Sequence, residues 1–261
     1  MEDAVSDGAS GRERGGCSDT KYAFIIPARE EGHYIGRSLR YLREVREEAR
    51  IPFCVIVVDG GSRDGTVKDA KGLADVVISD SGLARRSIGH ARNVGAALVS
   101  SPFLFHTDAD VLIPDLPRLL MHAERAFEDP AVVAVTTRLM PYPWDATRTD
   151  VFMHRLANAI IRLTLHLGAF LARGECQIVR REAFCKVGGY NGEIIAGEDC
   201  DLFRRLNRIG RIVYLRDYCV HHSPRRFREV GYLRIICIYI REGLSLVLRR
   251  RSYLSEWPLV R

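Results

Sequence analysis

FCVIVVD, residues 53 to 59, has no charged side chain until the aspartate that closes it. A strand that is apolar at every position, and not merely at alternate ones, has to be covered on both faces. Sheets of that kind are largely parallel, and parallel neighbours need a crossover long enough to hold a helix. The surrounding sequence provides one. YAFIIPA (22 to 28) is a second short apolar run, and between the two REEGHYIGRSLRYLREVREEAR sets Tyr34, Ile35, Leu39, Leu42 and Val45 on roughly one side of a helix. VKDAKGL predicts a short helix, DVVISD a third strand, and GLARRSIGHARNVGAALVSS a loop feeding a helix. SPFLFHTDAD predicts a fourth strand running to an acidic pair, followed by a helix over LPRLLMHAERAFED and a strand over AVVAVTTRL. The alternation predicts an α/β sandwich around a mostly parallel sheet.

After residue 150 the rhythm changes. VFMHRLANAIIRLTLHLGAFL predicts a long amphipathic helix, GECQIVRREAFCKVGGYN a strand and a short helix, EDCDLFRRLNRIG a helix, and RIVYLRDYCVHH strands. The sequence shows no internal repeat and no clean linker. The expected organisation is a flexible tail over 1–20 and one domain over 21–220, with halves at 21–115 and 116–220. A basic and apolar segment, 221–261, would follow. No stretch reaches 18 apolar residues without charge, so no conventional spanning helix is expected. The apolar stretches 151–171 and 232–249 have two readings. They are core helices, or a surface resting on a bilayer with arginines at the headgroups.

With 47% hydrophobic residues, 261 residues can bury a sizeable core. The net charge of +6 is concentrated after residue 200, in RRLNR, SPRRFRE and LRRRS. Such charge suits anionic small molecules, an acidic membrane surface or nucleic acid. Because the arginines cluster late while the central segments are acidic, nucleic acid is not the expected partner. The polar opening lacks the regions of a signal peptide. Seven cysteines, an odd number without a CxxC pair, point to free buried thiols and to the cytosol.

Ligands of open α/β sheets bind beyond the carboxyl ends of the strands. Asp59 and the pair Asp108/Asp110 both stand at such ends. Two carboxylates flanking one residue can hold Mg²⁺ or Mn²⁺, although Asp is also common in solvated turns. GGSRDGT is not a phosphate loop, for it lacks the lysine, and the first strand leads into PAREEG and not into G-x-G-x-x-G. In AGEDCDLFRRL, Glu198, Asp199 and Asp201 stand at a helix start. There they either complement the exposed N–H groups or supply a carboxylate base.

Taken in order, FIIPAREEGHYIGRSL, VIVVDGGSRDGT, ARNVGAAL, FLFHTDADVLIP, GECQIVRREAFCKVGGYN and AGEDCDLFRRL resemble family 2 of the glycosyltransferases, inverting enzymes of the GT-A fold. The likeness covers roughly residues 22 to 210. It implies a Rossmann-like central sheet flanked by helices with a helical C-terminal elaboration, and transfer from a UDP- or GDP-sugar assisted by Mn²⁺ or Mg²⁺. It puts Pro27, Ala28, Glu30, Asp59 and Asp64 against the nucleotide. Many relatives carry an acidic residue where this chain has Gly60. Arg86 and Arg92 would face the phosphates, with a second role for Arg92 as a brace of the loop. Asp108 and Asp110 would hold the metal, Asp108 also touching the nucleotide. Asp199 would be the base and Glu198 its neighbour at the diphosphate or acceptor. If the acceptor is already a phosphate, Asp199 would mainly orient it.

Beyond residue 210 the resemblance thins. There His222 or His221 would reach the metal, and Arg225 or Arg226 would grip the diphosphate. The Q-x-x-R-W signature and the membrane spans of processive relatives are missing. The acceptor classes left open are a sugar, a lipid phosphate and a lipid-linked glycan, met in the cytoplasm or at the inner face of a membrane. An inactive membrane-associated scaffold of the same fold is the alternative. A sugar-nucleotide pyrophosphorylase is a weaker one, because PAREEG is acidic where that enzyme needs a basic loop. The sequence does not settle the oligomeric state.

Overall fold

The computed structural model describes residues 17, 20–82, 87–166, 171–249 and 253–254. The first part of the chain runs β1 (Tyr22–Ala28), α1 (Ile35–Ala49), β2 (Phe53–Asp59), α2 (Thr66–Ala70), β3 (Val76–Ser79), α3 (Ile88–Ala97) and β4 (Phe103–His106). Then come β5 (Val111–Leu112), α4 (Leu116–Phe127), β6 (Val132–Pro141), α5 (Arg148–His166), β7 (Gln177–Arg180) and α6 (Arg181–Lys186). The last elements are α7 (Glu198–Asn207), β8 (Arg211–His222), α8 (Arg225–Val230) and α9 (Tyr232–Arg249).

One eight-stranded sheet has the order β3-β2-β1-β4-β7-β6-β8-β5. The pairs β1–β2, β1–β4, β2–β3 and β6–β8 are parallel; β4–β7, β6–β7 and β5–β8 are antiparallel. This is the expected α/β GT-A arrangement. All seven residues of β2 are buried, because both its faces are covered. Phe53, Val55 and Val57 pack with α1 and α4 on one side, through Leu39, Leu42, Leu119 and Ala123. Cys54, Ile56 and Val58 pack with α3 and α7 on the other, through Ala91, Ala96, Leu202 and Leu206.

Three local expectations are corrected. β4 ends at His106 and does not run through the acids. Its register with β1 stops at Ile25↔His106, and residues 108–110 turn back, with the Val111 N–H donating to the Asp108 carbonyl at 3.3 Å. The first helix begins at Ile35, residues 29–34 being a loop. The cysteines are not all free: Cys17 and Cys54 form a disulfide, while Cys176, Cys185, Cys200, Cys219 and Cys237 remain thiols. Counting and spacing missed the pair because residue 17 returns to β2 across the fold, where Thr20 bonds Ser101 at 2.9 Å. The cysteine argument for the cytosol therefore loses its force.

Candidate active site

In the sheet order, β2 and β3 lie on one side of β1 and β4 on the other, so the winding across the sheet switches sides at β1, between parallel strands β1 and β4. A crevice opens at the carboxyl ends of such strands. Pro27 and Ala28 end β1 at its rim. Asp59 ends β2, fully buried. Its Oδ2 accepts from Gly61 N–H and Ser62 N–H, each at 3.0 Å, and from the Ser79 hydroxyl at 2.7 Å, while Oδ1 accepts from the Ser62 hydroxyl. Gly61 has φ +78°, and a Cβ there would strike the Ser81 backbone, so the turn needs glycine.

The loops after β1 and β2 are laced together. Glu30 N–H donates to the Ser62 hydroxyl and Glu31 N–H to the Thr66 hydroxyl, both at 2.8 Å. The Glu30 carboxylate accepts from Arg63 N–H, and Asp64 accepts from Gly32 N–H and Thr66 N–H, all at 2.9 Å. Burial pushes the Asp64 carboxyl up, but these hydrogen bonds outweigh it and leave it below its ordinary value. Arg86 lies outside the described residues.

Two strand pairings bracket the acidic pair. Antiparallel pairing of β7 with β4 sets Gln177 opposite His106, so Glu175, just before β7, lies beside the residues just after β4; its carbonyl accepts from the Thr107 hydroxyl at 2.9 Å. On the far side, β5 pairs with β8 as Val111↔His222, and the Tyr142 hydroxyl holds the Asp110 carbonyl at 2.5 Å. Beneath them Arg92, reaching up from α3, is almost wholly buried. It donates to Asp108 at 2.6 Å, to Glu198 at 3.1 Å and to the Gly174 carbonyl at 3.3 Å. Any side chain at Gly174 would run into this guanidinium. Burial opposes the charge on Arg92, yet Asp108, Tyr190 and Glu198 hold it protonated. Of its two expected roles, the geometry matches the brace.

The three acids that open α7 diverge. Asp201 turns to Arg204 and Arg205 of its own helix, both at 2.8 Å. Glu198 meets Arg92. Asp199, with Oδ1 accepting from Cys200 N–H at 2.8 Å, faces the field of Asp108 and Arg92. The crowding of carboxylates shows in their proton affinities. Burial, then Glu31 and Asp108, push the Asp110 carboxyl up to about 7, against Arg225 and Arg226. Burial and Asp108 push Glu175 up to about 7, and burial and Asp199 push Glu198 up to about 8. Burial also raises Asp199, with Arg92 opposing.

His222 ends β8 and is buried. Its Nε2 lies 2.7 Å from Nε2 of His154 on α5, whose Nδ1 lies 2.8 Å from the Asp150 carbonyl. Burial and neighbouring positive groups depress both rings, His154 to about 4. A carbonyl only accepts, so neutral His154 donates from Nδ1 and accepts at Nε2. His222 then donates from Nε2 and keeps its lone pair on Nδ1, which lies 3.8 Å from Glu175. His221 points elsewhere, to the Pro141 carbonyl at 3.0 Å. Arg225 pairs with Glu31 at 2.5 Å, stands 3.7 Å from Asp110 and stacks on Tyr34. Arg226 lowers the same carboxyls from nearby.

Among the described residues, no three His, Cys, Asp or Glu side chains converge closely enough to hold an ion as they stand. The donor chemistry nevertheless suits a hard cation. Asp108 and Asp110 offer oxygens and His222 an imidazole lone pair. Burial, then neighbouring carboxylates, raise the carboxyl of Asp110, so that a cation there would favour its ionised form. Glu31, Glu175 and His154 were not singled out from the sequence. Glu175 stood within GECQIV, but only the β4–β7 pairing reveals its place.

Comparison with known proteins agrees with this geometry. The profile described as "Glycosyl transferase family 2" matches residues 23–188, more than half the chain. The chain belongs to that family. Succinoglycan biosynthesis protein ExoA of Rhizobium meliloti is 28% identical over 207 residues, 77% of this family 2 chain and 62% of its own length. The mannosyltransferase PcManGT of Pyrobaculum calidifontis, solved with GDP-Man and Mn²⁺, superposes with a TM-score of 0.62 at 21% identity. That match covers 85% of this chain and 65% of the mannosyltransferase. Glucosyl-3-phosphoglycerate synthase of Mycobacterium tuberculosis, solved with Mn²⁺, UDP-glucose and phosphoglyceric acid, gives 0.60 at 18% identity, covering 89% of this chain and 80% of the synthase. These structural likenesses speak to fold. The chain thus spans less than two thirds of the length of the first two.

Proposed function

We propose that this chain is a metal-dependent, inverting glycosyltransferase that moves a sugar from a UDP- or GDP-sugar to an acceptor presented across the β1–β4 crevice. The observation that carries the reading is the bracketed acidic pair, with Asp199 facing it and Arg92 beneath. Family membership and the carboxyl-end crevice support it. The laced loops carrying Pro27, Ala28, Glu30, Asp59 and Asp64 would seat the nucleoside. Asp59 would act mostly by shaping that seat, since its oxygens already accept four hydrogen bonds.

Asp108, Asp110 and the Nδ1 lone pair of His222 would hold Mn²⁺ or Mg²⁺, which would supply positive charge to the departing diphosphate. Arg225 and Arg226 would face the same phosphates, Arg225 exchanging its contact with Glu31 for one with the donor. Asp199 would take the proton of an acceptor hydroxyl; its burial-raised affinity favours that task. The acceptor oxygen would bond to the anomeric carbon as the bond to the nucleoside diphosphate breaks on the opposite face, inverting the centre. For a phosphate acceptor, already an anion, Asp199 would orient and not deprotonate.

A lipid phosphate or lipid-linked glycan suits the apolar C-terminal helices. The expected compartment is the cytoplasm, at the inner membrane face, and the Cys17–Cys54 bridge makes the redox state of purified protein a check on it. The test is calorimetric titration of UDP and GDP, with and without Mn²⁺, into the protein and into Asp110→Asn. Tight binding of one nucleotide that needs both the ion and Asp110 is expected. Equal binding without either would sink the metal-dependent reading.

A further inference from the structure

Among the described residues no helix is long and apolar enough to cross a membrane, yet α5 and α9 leave large apolar side chains in water. On α5 these are Phe152, Leu156, Ile160 and Leu163, and on α9 Leu233, Ile236 and Ile240; Phe152 is 64% exposed and Leu233 79%. Spacings of three and four put each set on one face of its helix. A protein interior would have covered them, and scattered surface leucines would not align.

The charges are arranged with equal regularity. Arg148, Arg155 and Arg162 recur every seventh residue along one edge of the α5 stripe, and Arg234 and Arg241 do so along α9, all exposed. The two acids of these helices face inward. Asp150 and Glu242 are both buried, Asp150 accepting from Arg228 and from Tyr232 at 2.7 Å, Glu242 from Tyr253 N–H at 2.8 Å. Each described outward face is therefore apolar with a cationic margin. The Tyr232–Asp150 bond joins the first turns of the two helices. A cavity of about 350 Å³, lined by Ala146, Thr147, Arg148, Val151, Phe152 and Arg155, opens at the same end of α5.

We infer that α5 and α9 form a docking surface for an anionic lipid bilayer, the stripes entering the acyl boundary and the arginines meeting phosphate headgroups. A second copy of the chain is a poorer occupant, because stacking these faces would set arginine against arginine. In a respect that rests on the transferase reading, the surface would bring the protein to an acceptor whose phosphate or glycan head projects from the bilayer.

The test is flotation of the full chain with vesicles of phosphatidylcholine, alone and with phosphatidylglycerol added, at low and high salt. Three double variants accompany it: Phe152→Ser with Leu156→Ser, Leu233→Ser with Ile240→Ser, and Arg155→Glu with Arg234→Glu. Partitioning that requires the anionic lipid and weakens with salt is expected. Each arginine near such a surface is worth roughly fivefold, so the arginine double variant should lose about 25-fold or more, and each apolar double variant, which removes several buried methylenes, about tenfold or more. No partitioning of the wild-type chain, partitioning indifferent to the variants, or a stripe-dependent dimer without lipid binding would overturn the inference. Nucleotide titration of the same samples separates the two readings. Intact nucleotide binding without vesicle binding removes the surface alone, and the converse removes the catalytic reading alone.

Discussion

Two groups of carboxylates stand at the carboxyl ends of one sheet and meet opposite fates. At the β2 end, Asp59 and Asp64 accept from backbone N–H groups and hydroxyls, mostly of the loop that follows each acid, with Ser79 and Gly32 as the distant donors. At the β4 end, Asp108, Asp110 and Glu198 have arginines as their charged partners, and Asp110, Glu175 and Glu198 hold protons to pH 7 or 8. A carboxylate given backbone donors becomes part of the scaffold. One crowded against others, with long cationic side chains for company, can be re-partnered when a ligand arrives.

The heaviest blow to that contrast should come from Arg92→Ala. It strands Asp108 and Glu198 around a buried void, and the expected loss is about 3–5 kcal/mol in urea denaturation. A loss under about 1 kcal/mol would mean that the brace is dispensable. Asp59→Asn comes next. The amide replaces one acceptor oxygen by an N–H₂ and removes the charge that four hydrogen bonds stabilise, so about 1–3 kcal/mol should be lost, and Mn²⁺ should not restore it. The smallest effect near pH 4.5 belongs to Glu198→Gln. Native Glu198 keeps its proton to about pH 8, whereas an unperturbed one loses it near 4.5. The native state therefore binds more protons across that window, and stability should fall as pH rises through it. Glutamine mimics the protonated acid, so the substitution should change stability by less than about 0.5 kcal/mol near pH 4.5. It should leave the protein more stable than the wild type at about pH 7 to 8, and flatten the melting temperature between pH 5 and about 9. An unchanged slope would remove Glu198 as a source of the pH dependence.

What the sequence disclosed follows from how local each determinant is. β1 and β2 lie where continuous apolar runs predict them, because double-faced burial writes itself into every residue of a strand. The acids after β4 were visible for the same reason: they terminate a buried run. The partners of those acids were not. Glu175 is brought in by antiparallel pairing and His154 by the packing of α5 on β6, which carries it to His222 at the end of β8, and no pattern in either segment states its neighbour. Asp199 and Asp201 were told apart only by the family resemblance; no local pattern shows that helical rotation turns Asp201 to Arg204 and Arg205. The Cys17–Cys54 bridge escaped for the same reason as Glu175, a contact across the fold.

The Val111↔His222 pairing has a temporal consequence. Asp108 and Asp110 leave the ribosome roughly a hundred residues before the strand that flanks them, and Arg225 later still. During that interval the first half of the sheet can form by local pairing, but its acidic rim lacks its far wall. Closing long loops is slow, so completion of the crevice is expected among the last events of folding. A nascent chain that stops short of β8 would carry a near-complete core and an unfinished site, so catalytic competence cannot precede synthesis of nearly the whole domain.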